Sequence, residues 1–249
     1  MKIIWFHTVI KRFAALLLLA DLAGVLGTHA QVPAGNTDID SDTTASQSVD
    51  VTTEKPIKKV LFLGDSMTGW MAERLNAYGE LNDFEVATIV WDGSTIKKWG
   101  NAPKLREIIE EQSPDAVFIS LGMNELFEQN PEKNLKTAIE NIKSSIGDTP
   151  FLWIGPPSWP GHDEGNDLND WLESEMGSEH YFRSSDMDLP RQSASNPHPD
   201  KAGIEVWIDN VVAWIPDNTE LKFNSLNPPE KGSMSRGQTF IYKRMKEEL

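Results

Sequence analysis

Val60-Leu61-Phe62-Leu63-Gly64-Asp65-Ser66 is four apolar residues closed by a glycine, an acid and a serine. A run this short and this apolar reads as a strand buried on both faces. Behind it, Met67, Trp70, Met71, Leu75 and Tyr78 recur at helical spacing, so a sharp strand-to-helix turn is expected around Ser66. The pattern repeats on the C-terminal side. Phe84–Trp91 is a second strand, followed by a helix entered at Pro103 through Leu105, Ile108 and Ile109. Asp115–Leu121 is a third strand ending at Gly122. Leu135, Ala138, Ile139, Ile142 and Ile146 form a helical stripe stopped by Gly147. Phe151–Ile154 is a fourth strand, closed by Gly155-Pro156-Pro157. A helix near Asp167–Glu175 and a short strand near Tyr181–Arg183 follow. Ile204, Trp207, Ile208, Val211, Val212 and Ile215 then mark a final helix halted by Pro216. Strands alternating with helices predict an α/β fold, a three-layer α/β/α sandwich around a mostly parallel five-stranded sheet. Ligands in such sheets sit at the carboxyl ends of the strands.

Outside this block the chain changes character. Lys2, Lys11 and Arg12 precede Phe13–Ala20, and Thr28-His29-Ala30 follows the apolar segment. Residues 1–30 therefore read as a signal peptide, with Asp21 interrupting the apolar run; an uncleaved membrane anchor is the alternative. Residues 31–56 are rich in Ser, Thr and Asp and are expected to be a disordered linker. The folded domain is set at 57–216, and 217–249 is a C-terminal extension without strong periodicity. The 249 residues carry 38 Asp and Glu against 23 Lys and Arg, a formal charge of -15. Such a chain repels phosphate backbones, which argues against a nucleic-acid partner. The absence of cysteine removes thiol nucleophiles, disulfides and Cys-ligated metals. No His-x-x-x-His pair or glycine-rich phosphate loop is present, so no metal or other cofactor is expected.

Residues able to do chemistry gather at the predicted strand ends. These are Gly64-Asp65-Ser66, Gly93 after the second strand, Gly122-Met123-Asn124-Glu125, and His198-Pro199 before the last helix. In this order they resemble the SGNH (GDSL-like) hydrolase superfamily, whose fold is flavodoxin-like. The resemblance covers about Ile57 to Pro216. It implies a Ser66 nucleophile, His198 as base, and an oxyanion hole made by the Ser66 amide, the Gly93 amide and the Asn124 side chain. Ser66 could instead simply cap its helix, and Asn124 and Gly93 could be turn residues. The family usually carries an aspartate three residues before the histidine, where this chain has Ser195. A Ser–His dyad, a substitute carboxylate (Asp186, Asp188 or Asp200) or an inactive site would each accommodate that change. Trp91, Trp159 and His162 are candidate substrate contacts in loops near Ser66.

The expected activity is that of a secreted or periplasmic serine esterase acting on O-acyl, above all O-acetyl, esters of a carbohydrate or a small alcohol. Two alternatives are an O-acyltransferase served by a membrane acyl-donor partner and a non-catalytic glycan-binding protein.

Overall fold

The computed structural model describes residues 55–162, 166–193 and 195–249. The expected leader, and all but the last two residues of the expected linker, lie outside the described residues. The elements run β1 (Lys59–Gly64), α1 (Thr68–Asn82), β2 (Glu85–Trp91), α2 (Ile96–Gly100), α3 (Leu105–Gln112) and β3 (Ala116–Ser120). They continue with α4 (Pro131–Ile146), β4 (Phe151–Ile154), α5 (Asn166–Met176), β5 (Tyr181–Phe182), α6 (Lys201–Asn218) and β6 (Phe240–Lys243).

All strand pairs are parallel, in the order β5-β4-β3-β1-β2-β6. Every residue of β3 is buried, as expected of a parallel strand covered on both faces. One face packs on α1 and α6 through Phe62, Phe118, Leu152, Trp207 and Val211. The opposite face packs on α2 to α5 through Leu61, Ile119, Trp153, Ile139 and Leu172. From β1 the chain runs outward to β2, then returns to β3 on the other side. This reversal opens a crevice at the carboxyl end of β1, where Ser66 follows. Gly64 is required there, because a Cβ would stand 2.1 Å from the Ser120 carbonyl oxygen.

Two expectations need correcting. The sheet has six strands, not five, because the C-terminal extension returns to pair β6 with β2. And α6 runs through Pro216 to Asn218, the Thr219 amide bonding Ile215 O at 3.1 Å. Proline lacks one N–H but is accommodated in this last turn.

Polar side chains buried on α1 hold the extension down. Arg74, 1% exposed, forks onto Asp209 at 2.9 Å and donates to the carbonyls of Pro229, Glu230 and Ser233. Tyr78 donates to the same Asp209. The Asn82 amide exchanges hydrogen bonds with Ser225 and Asn227, and Asn76 donates to Ser235. Burying a guanidinium is costly unless its donors are matched this fully. Residues 219–239 therefore form a strap that crosses α1 and delivers β6 to the sheet edge.

Candidate active site

Asp65 is buried directly under the turn. Its carboxylate accepts the Met67 amide at 2.9 Å, so an acid one residue before Ser66 serves the start of α1. Burial pushes this carboxyl up to about 7, with the Glu125 and Asp92 charges adding and the Met67 amide opposing. The Ser66 hydroxyl does not cap the helix. Its Oγ lies 3.0 Å from His198 Nε2, across 132 residues of chain.

The other side of the ring is fixed by a residue that charge-based reasoning passes over. Asn196 Oδ1 accepts the His198 backbone N–H at 3.0 Å and lies 3.3 Å from ring Nδ1. A backbone N–H only donates, so the facing Asn196 atom is the carbonyl oxygen. That oxygen only accepts, so Nδ1 carries the proton and Nε2 presents its lone pair to Ser66. Partial burial holds the His198 pKa below the ordinary imidazole value, against an upward pull from Asp92. A neutral ring of this tautomer suits a general base near pH 7.

None of the three nominated carboxylates meets the ring. Asp200 caps α6 by accepting the Gly203 amide at 2.9 Å. Asp186 accepts from Arg183. Asp188 faces Arg191. A neutral amide stands beside Nδ1 instead. Ser195 is exposed, with its hydroxyl 3.1 Å from that of Ser193.

The loops expected to form the oxyanion hole are tied together. Asn124 Nδ2 donates to Ser94 O at 2.7 Å and reaches Asp65 Oδ2 at 3.4 Å. Glu125, pushed up to about 7 by burial, accepts the Ile96 amide at 2.7 Å and so pins the start of α2. Gly93 has φ +59°, and a Cβ there would meet Met245 Cε at 2.7 Å. Lys98 Nζ donates to both Gly93 O and Met245 O at 3.2 Å, which locks the end of the chain behind this turn. Neither the Ser66 nor the Gly93 amide N–H has an acceptor among the described residues.

A cavity of about 430 Å³ opens beside the Ser66–His198 pair. Its floor includes Val90 and Ile204; around them stand Trp70, Glu73, Asp92, Arg236, Phe240 and Tyr242. Trp91 is not in it. Strand alternation sends Val90 and Asp92 to this side and turns Trp91 into the opposite layer, buried edge-to-face on Trp99 at 5.6 Å. Trp159 and His162 also lie outside the cavity, in a cluster of rings with Phe127. Trp70, expected on the buried stripe of α1, is 51% exposed at the cavity. Arg236, Phe240 and Tyr242 belong to the extension, and the short β-branched and aromatic run Phe240-Ile241-Tyr242 is the sequence signal that marks a strand there. Among the described residues no group of three His, Asp or Glu is arranged to hold a metal ion.

No family model matches this chain, and no curated protein matches it. Among solved structures it is similar to a lipolytic protein of the G-D-S-L family from Desulfitobacterium hafniense DCB-2. That match has 15% identity and a TM-score of 0.48, covering 62% of this chain and 97% of the other. It is also similar to the psychrotrophic esterase EstA from Pseudoalteromonas sp., at 17% identity, TM-score 0.46 and 64% and 100% coverage. A third is a Clostridium thermocellum family 3 carbohydrate esterase, at 17% identity, TM-score 0.44 and 65% and 98% coverage. All three scores fall below 0.5, and no activity passes from these proteins to this chain.

Proposed function

We propose that this chain is an exported serine esterase that hydrolyses O-acyl esters, O-acetyl esters of envelope or extracellular glycans above all, through an acyl-enzyme on Ser66. The observation that carries this reading is the 3.0 Å contact between Ser66 Oγ and the unprotonated nitrogen of His198. As Oγ bonds to the ester carbonyl carbon, its proton passes to Nε2. The carbonyl oxygen becomes an oxyanion facing the free Ser66 and Gly93 amides. Asn124 adds a third donor by turning from its long contact with Asp65. Collapse breaks the ester C–O bond, and Nε2 returns the proton to the departing alcohol. Water, deprotonated by the same nitrogen, then releases the acid and restores Ser66.

The export part of this reading rests on the basic, apolar and small-residue order of residues 1–30. The glycan part rests on exposed aromatic rings beside the nucleophile. With a sugar hydroxyl in place of water, the same intermediate would give acyl transfer, and product analysis with and without a sugar acceptor separates the two. The direct test is hydrolysis of 4-nitrophenyl acetate by purified protein. Ser66→Ala abolishes it and His198→Ala lowers it by about 10²–10⁴. Full activity in Ser66→Ala overturns the proposal.

A further inference from the structure

The cavity beside Ser66 is walled on one side by α1 and on the other by the C-terminal strap and β6. Its chemistry is mixed in a particular way. Trp70 and Tyr242 are each 51% exposed, so each offers a ring face that is half wet. Phe240 lies in the same wall, with the Arg236 guanidinium 4.3 Å above its ring. Glu73 and Asp92 complete the polar set. Arg236 forms no ion pair among the described residues. Stacking holds its planar fork in place while leaving the donors free. Desolvation and the nearby Asp92 carboxylate hold the Tyr242 phenol pKa above its ordinary value.

An alkyl chain filling this space would strip water from Glu73, Asp92 and Arg236 and return no hydrogen bond, which is costly for each. A pyranose ring meets both demands. Its C–H face covers aromatic rings, while its hydroxyls donate to carboxylates and accept from a guanidinium. We infer that this cavity is the subsite for the sugar of an O-acylated glycan, built by the C-terminal strap, with Arg236, Tyr242 and Trp70 as its specificity-determining residues. The inference rests on the esterase reading and adds to it which side of the nucleophile holds the alcohol part. The acyl group, on this assignment, points away from β6.

The experiment compares 6-O-acetylglucose, whose other hydroxyls are free, with 4-nitrophenyl acetate, and 4-nitrophenyl acetate with its butyrate and octanoate. In Arg236→Ala and in Trp70→Ala, kcat/KM for the acetylated sugar falls at least tenfold more than for the aryl acetate. The loss appears mainly in KM, and the acyl-length preference stays as in the parent. Both side chains are exposed, so the variants fold. Equal falls on the sugar and the aryl ester would overturn the assignment by reducing these residues to structural ones. A changed acyl-length preference would overturn it by making the cavity an acyl pocket. Separately, Ser66→Ala retaining hydrolysis of both substrates would remove the esterase reading beneath it, so the two failures are distinguishable.

Discussion

One amide oxygen holds both the main chain and the ring of the same histidine: Asn196 Oδ1 stands 3.0 Å from His198 N and 3.3 Å from Nδ1. It fixes the tautomer without contributing charge. Asn196→Ala therefore frees the ring and lowers kcat for an aryl acetate by about 10–100-fold, a fraction of a base's full worth. Asn196→Asp places a carboxylate at that oxygen. It stabilises the imidazolium, raises the His198 pKa, and moves the acid limb of the pH–rate profile to higher pH. Ser195→Asp leaves turnover unchanged, because the side chain at 195 points to Ser193 and not to the ring.

The charge nearest in effect to His198 is Asp92, in the same cavity as Glu73, Arg236 and Tyr242. It pulls the imidazole pKa upward against burial. In Asp92→Asn that pull is gone, so the acid limb of kcat/KM moves to lower pH. A kcat/KM profile between pH 4 and 8 checks the direction.

Asp65 and Glu125 are both pushed up to about 7 in the folded chain, above the range of about 3.9–4.3 for free carboxylates. The folded state thus binds protons more tightly than the unfolded chain. Their contribution to stability is complete below about pH 4 and is lost as pH rises through about 7. Glu125→Gln removes one of the two ionisations and keeps an oxygen for the Ile96 amide. The drop in melting temperature between pH 5 and pH 8 is therefore smaller in Glu125→Gln than in the parent.

Arg74→Met removes the guanidinium from Asp209, which keeps only Tyr78, and from three strap carbonyls. The expected cost is about 3 kcal/mol, at the low end for a broken buried pair because Asp209 keeps some water. Proteolysis should then cut within 219–239, and β6 should be lost from the sheet edge. An unchanged melting temperature would mean that the strap is held by its apolar contacts, Phe223 on Phe84 among them.

What the sequence makes legible follows from burial. Strands β1 to β4 are covered on both faces, so they read as apolar runs; α4 buries one clean stripe and was equally plain. The strap was not legible because polar groups hold it: Arg74, Asn76 and Asn82 face it from α1, where periodicity counts them as solvent-exposed. Strand β6 has one neighbour and a half-exposed face, so it lacks the same apolar signature. Trp91 belongs to the opposite layer because strand alternation from Val90 turns it away from the cavity. Asn196 is not legible as the partner of His198 because it carries no charge, whereas fixing a tautomer takes only an acceptor.

The most direct measurement is labelling by a fluorophosphonate probe, with the modified peptide identified by mass spectrometry across a pH series. The expected result is a single adduct on Ser66, absent in Ser66→Ala, strongly slowed in His198→Ala, and forming at a rate that falls as His198 protonates. A correctly folded protein that takes up no label at any pH would contradict the Ser66–His198 pair as a working nucleophile and base.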